Sequence, residues 1–137
     1  MGQGQRSQLL IATFVAASVS CGAAVAGGRT YDNDDLKGSY HCITQKFNCG
    51  FSFVATYDGA GVSQNTEVVY GCPGMAGPTP FPNVPPFPYT VNPDGSFTVH
   101  DTLAGADAYG QITQNGQLLI FGGTNPLNPA FGVCIRK

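Results

Sequence analysis

Few side chains of this chain could do chemistry, and their spacing speaks mainly to what is excluded. His41 and His100 are the two histidines among 137 residues, and Glu67 is the one glutamate. Asp101 follows His100, but neighbours on a strand point to opposite faces, so adjacency does not make them a dyad. Two histidines without a third clustered ligand make a poor metal site, and the cysteines contain no CxxC pair. Neither a metal nor another cofactor is therefore expected. No serine stands in a G-x-S-x-G elbow, and no carboxylate pair is arranged for glycoside hydrolysis. His100 and Asp101 are read as rim or surface residues, and no catalytic residue is nominated.

The cysteines say more. Arg6 is the one charge before Arg29, Leu9 to Val19 is largely apolar, and Ala24-Val25-Ala26 satisfies the A-x-A cleavage rule. Residues 1–26 thus read as a secretory signal peptide. The apolar run is too short for a spanning helix, and Ser18 stands where a lipoprotein signal at Cys21 would want a Leu-like residue. A secreted or periplasmic protein is expected, with no stable membrane span after cleavage. Cys42, Cys49, Cys72 and Cys134 remain, and four cysteines in an exported domain suggest two disulfides with three possible connectivities.

After residue 26 the chain carries five basic against eight acidic side chains, a formal charge of −3. Charges this sparse provide no basic stripe for nucleic acid and no attraction to an anionic membrane. The expected partners are a small apolar ligand or an extracellular protein.

These residues must be positioned by strands, because no segment shows helical periodicity. After a polar, flexible lead-in over 27–35, the domain occupies 36–137. The first strand is expected over Leu36–Ile43, followed by a loop from Thr44 to Asn48. Alternating runs over 50–57 and 62–71 flank Asp58-Gly59-Ala60-Gly61, a hairpin turn pattern. Alternation puts Cys49, Phe51, Phe53, Ala55 and Tyr57 on one face. A tight turn adds Cys72, Tyr70, Val68 and Thr66 to that face and turns Glu67 away. Residues 73–88 hold seven of the ten prolines and are read as an extended loop with no ladder. Phe81 and Phe87 make this loop a candidate ligand or partner contact, as a lid or a docking strip. Further strands follow over 87–91, 96–103, 108–114, 117–122 and 130–137, separated by turns such as Asn92-Pro93-Asp94-Gly95 and Asn115-Gly116. On the fifth strand Asp101 shares a face with Phe97, Val99 and Leu103, which puts it at one end of the interior.

Eight short strands joined mostly by tight hairpins predict an all-β, eight-stranded antiparallel up-and-down barrel, with a β-sandwich as the rival. In such a barrel the first and last strands are antiparallel neighbours. Pairing Cys42 with Cys134 sets Tyr40 opposite Arg136, and Cys49 with Cys72 clasps the second hairpin. That register sends Phe131, Val133 and Ile135 to the other face, so Cys42–Cys49 with Cys72–Cys134 stays open as an alternative.

Leu36-Lys37-Gly38-Ser39-Tyr40, the Tyr57-Asp58-Gly59-Ala60-Gly61 turn and Tyr89-Thr90-Val91-Asn92-Pro93-Asp94-Gly95 resemble a group of small secreted bacterial proteins. These have LKGSY, FDGxG and YTVNxDG motifs and calycin-like or allene oxide cyclase-like barrels. Gly38-x-Tyr40 with a terminal Arg136 is also similar to the lipocalin pattern, with Tyr in place of Trp. The resemblance implies a barrel and adds Tyr40 and Arg136, from the lipocalin pattern, to Asp101, Phe81 and Phe87 as expected contacts of a ligand or partner at its open end. It leaves two alternatives: a surface interaction module with a filled core, and a cyclase-type isomerase needing a buried carboxylate.

Overall fold

The computed structural model describes residues 28–113, 115–123 and 129–137. The signal peptide expected over 1–26, Gln114 and most of the loop carrying Pro126 lie outside the described residues. Among the described residues nine strands form: β1 (Gly38–Lys46), β2 (Cys49–Tyr57), β3 (Val62–Gly71), β4 (Thr79–Pro80), β5 (Phe87–Val91), β6 (Ser96–Asp101), β7 (Ala106–Ile112), β8 (Leu118–Gly123) and β9 (Ala130–Arg136). They run in the hydrogen-bonded order β2-β1-β9-β8-β7-β6-β5-β3, and β2 pairs with β3 to close the ring. The fold is the expected eight-stranded antiparallel barrel, with the short additional strand β4 paired to the same edge of β3 as β5.

Local chemistry explains most reversals. Asp58 Oδ1 accepts from the backbone N–H groups of Ala60, Gly61 and Val62, at 2.7, 2.9 and 2.9 Å, and holds the β2–β3 turn. Asp94 does the same for Ser96 between β5 and β6. The first loop departs from expectation. Lys46 faces Cys49 in register, so only Phe47 and Asn48 turn the chain, with φ of 54° and 60°. Two successive left-handed residues make the primed turn whose twist suits a hairpin. Strand β1 therefore runs three residues past Ile43.

Three further features differ from the sequence expectation. First, the stretch expected as a flexible lead-in contains a 3-10 helix over Asn33–Leu36, capped by Asp32, whose side chain accepts from Asp34 N–H while Asp35 accepts from Asp32 N–H. It covers one end of the barrel and buries Leu36 completely. Second, the Pro-rich segment does join a ladder: Thr79 and Pro80 pair with Tyr70 and Val69, and Phe81 N–H donates to Val68 O at 2.8 Å. Pro80 lacks a donor but still offers its carbonyl, and a short outer strand needs no more.

Third, Thr66 is not on the Phe face. Tyr57 pairs with Ser63 and Val54 with Thr66, one residue out from the expected register. Beyond Val54 the register shifts, and Phe51 pairs with Tyr70 as expected. The shift is a β-bulge around Glu67, which has φ 53°. The turn and the bulge offset one another, so Cys49 still meets Cys72 although Ser63 and Asn65 take the inward places below.

Both disulfides are the ones set by the barrel, Cys42–Cys134 and Cys49–Cys72. The first lies in a regular ladder, Cys42 opposite Cys134 and Tyr40 opposite Arg136. The apolar residues this register turns outward stay outside: Ile43 is 71% exposed, and Phe131 and Ile135 are each 60% exposed.

Candidate functional site

The two ends of the barrel are built differently. At the end covered by the 3-10 helix, Tyr40, Tyr57 and Tyr89 stack edge to face, with centroids 5.6 and 5.0 Å apart. Tyr40 Oη donates to Gly116 O, and Tyr89 Oη donates to Asn33 O and accepts from Gly59 N–H. Burial raises all three phenol pKa values; for Tyr57 the neighbouring Tyr40 and Tyr89 add to it. Arg136 spans the outside of this plug. Its guanidinium lies over the Tyr40 ring and donates to Lys37 O. Gly38, at φ 132°, leaves that space: a Cβ there would sit 3.5 Å from Arg136 Nε and Nη2.

The other end is open. The strand ends Lys46, Cys49, Gly71, Asp101, Ala106, Gly123 and Ala130 mark its rim. Below lies a cavity of about 440 Å³. Seven of the nine phenylalanines line it, Phe47, Phe51, Phe53, Phe81, Phe87, Phe97 and Phe121. Two of these rings are seated on glycines of the next strand. Gly110 faces Phe97 and Gly132 faces Phe121, and an added Cβ would come within 2.4 and 2.3 Å of the respective Cζ atoms. Without side chains there, the rings lie across the inner wall and leave the centre empty.

The wall has a thin place. Strands β3 and β5 share only the pairs Val62–Pro88 and Ser63–Phe87. Side chains extend the seam: Ser63 Oγ donates to Phe87 O at 3.0 Å and Gln64 Nε2 to Val84 O at 2.7 Å. Phe81 and Val84, from the Pro-rich segment, therefore line the cavity directly. Phe81 packs edge-on to Tyr70, which stacks on Phe51.

One ion pair reaches across the mouth. Lys46 Nζ lies 3.1 Å from Asp101 Oδ2, with side chains only 22% and 31% exposed. Strands β1 and β6 stand opposite each other, with three strands between them whichever way the ring is followed. Asp101 Oδ1 also accepts from the backbone N–H of Leu103 and Ala104 at 3.0 and 2.9 Å. His100 is exposed and meets Asp107 instead, Nδ1 to Oδ1 2.7 Å.

Of the residues nominated from sequence, Phe81, Phe87 and Asp101 are brought together around the cavity. Tyr40 and Arg136 are not. They belong to the opposite, plugged end, where Tyr40 is fully buried with its hydroxyl bonded, and neither lines the cavity. Glu67, the carboxylate a cyclase-type interior would want, is exposed at the bulge. Lys46 escapes the sequence reading because the first strand is ended too early; continuing the alternation Tyr40, Cys42, Thr44 would have put it inside.

Among the described residues no group of three His, Cys, Asp or Glu side chains is placed to hold a metal ion, and no helix is long and apolar enough to cross a membrane. Comparison with protein-family models, curated proteins and solved structures returned no match.

Proposed function

We propose that this protein is an exported, calycin-like barrel that binds a small apolar molecule in the Phe-lined cavity. The observation that carries the reading is the cavity itself. About 440 Å³ with an aromatic wall and one ion pair at its mouth matches the size and character of small-molecule sites, which run to roughly 300–1,000 Å³ with few polar groups. An eight-stranded barrel can fill with side chains or hold one ligand; here two rings laid over glycines keep the centre clear. The two disulfides support an oxidising compartment. The Gly38-x-Tyr40 start under Arg136 supports the calycin-like likeness.

The filled-core interaction module is the reading this cavity disfavours. Native mass spectrometry of protein purified from its host, with decan-1-ol titrated in by calorimetry, separates the two. The expected result is a retained small molecule or saturable decanol binding with a negative heat-capacity change. A barrel that retains nothing and takes up no decanol is not a ligand carrier.

A further inference from the structure

The cavity's chemistry is not neutral at its mouth, and the two charged groups there are held differently. Asp101 is fixed: its Oδ1 takes two backbone N–H groups of the following turn, and its Oδ2 takes Lys46. Lys46 reaches Asp101 through its Nζ, which also stands 5.5 Å from the centroid of the Phe47 ring, at the end of a flexible stem that lines the cavity and is 22% exposed against 31% for Asp101. Two of the hydrogen bonds of Asp101 come from backbone, so of the pair Lys46 is the group an arriving ligand can displace.

We propose that the ligand is an apolar molecule bearing one cationic group, whose ammonium replaces Lys46 on Asp101. The proposal rests on the ligand-binding reading above. The exchange conserves the ion pair. Asp101 keeps a cationic partner in a part-buried place where an unpaired carboxylate is costly, and the displaced lysine swings into water, where an ammonium is strongly hydrated. An anionic head group would instead bring a second carboxylate beside the immovable first, with one ammonium shared between them. The Phe rings favour the same choice, because their faces attract cations. So does the surrounding field: among the described residues the mouth half carries Lys46 as its one lysine or arginine, against Asp101, Asp107 and Glu67.

The test compares three probes of equal chain length, decylamine, decan-1-ol and sodium decanoate, titrated into the oxidised protein at neutral pH. Decylamine is expected to bind at least tenfold more tightly than decanol, and decanoate more weakly than decanol. Asp101→Asn, which keeps an acceptor for the turn, is expected to reduce the amine-to-alcohol ratio below threefold. Lys46→Met, which removes the competing ammonium, is expected to raise it. Equal binding of amine and alcohol, tighter binding of decanoate, or a Lys46→Met protein with a lowered ratio overturns the cationic-ligand proposal while leaving the cavity reading intact. Failure of all three probes overturns both.

Discussion

The guanidinium carbon of Arg136 stands 5.3 Å from the centroid of the Tyr40 ring, joining the last residue of β9 to the first inward-facing aromatic of β1. The contact closes the plugged end where β1 begins and β9 ends, and the same guanidinium donates to Lys37 O. It therefore ties the barrel seam to the segment that carries the 3-10 helix.

Replacing Arg136 with Met removes the cation–π contact and a charge-assisted hydrogen bond, together worth about 2 kcal/mol. The thermal midpoint should fall by roughly 4–8 °C for each kcal/mol lost. Arg136→Lys should recover only part of this, since an ammonium cannot lie flat on the ring and reach the carbonyl together. Thermal unfolding followed by circular dichroism decides; full recovery in the lysine variant would mean that charge alone matters.

The buried tyrosines predict an alkaline limit. Burial holds the Tyr57 phenol well above its ordinary value, and Tyr40 and Tyr89 are also raised. The unfolded chain begins to lose these protons near pH 10, while the folded chain keeps them. The contribution to stability is thus complete below pH 10 and is lost as pH rises through the folded-state values. Unfolding followed by circular dichroism should set in above that point, and Tyr57→Phe should move the alkaline midpoint upward. An unchanged midpoint in Tyr57→Phe would contradict this.

The two disulfides should differ in accessibility and in effect. Cys42 and Cys134 are each 1% exposed, whereas Cys49 and Cys72 sit part-exposed at the rim. Mild reductant should open the rim bond first, as mass mapping of alkylated cysteines would show. Complete reduction should raise the intact mass by about four hydrogens. On the chain-entropy argument the bond spanning 92 residues is worth about 4–5 kcal/mol and the one spanning 23 about 3. Cys42→Ser with Cys134→Ser should accordingly be the more destabilised double variant.

Glu67 carries the bulge in a left-handed conformation that a side chain resists by about 1–2 kcal/mol. Exposed there, it should be replaceable by Gly with a modest gain in stability, offset in part by the freer unfolded chain. Chemical denaturation measures it, and a loss above about 1 kcal/mol would mean that the carboxylate has a role the geometry does not show.

Gly110→Ala should be far worse. A Cβ would meet Ile120 O at 2.6 Å as well as the Phe97 ring, and backbone cannot step aside as a ring can. A cost of about 1–3 kcal/mol is expected, with weaker decanol binding as Phe97 is pushed into the cavity.

Much of this barrel is legible in sequence because its turns are local. Asp58-Gly59-Ala60-Gly61 and Asn92-Pro93-Asp94-Gly95 carry their own hydrogen-bond acceptors and left-handed residues, so their strands fall within a residue or two of expectation. Phe47 hides its turn, because nothing in a phenylalanine advertises positive φ. The bulge at Glu67 is equally silent, since it answers to the curvature of a wall closed by distant strands. The site follows the same division. Phe81, Phe87 and Asp101 can be nominated from composition and parity, but pairing Lys46 with Asp101 requires two strands on opposite sides of the ring. Tyr40 and Arg136 were legible as neighbours and not as to which end they close.

The short meeting of β3 and β5 has a mechanical meaning. Six of the eight seams are unbroken ladders, the β2–β3 seam is bulged at Glu67, and the eighth is tacked at one end near Ser63 and Phe87, beside the proline-rich chain that fills the gap. There Phe81 and Val84 of the proline-rich segment complete the wall, so lengthening or shortening that one segment would reshape the cavity while leaving the eight barrel strands untouched.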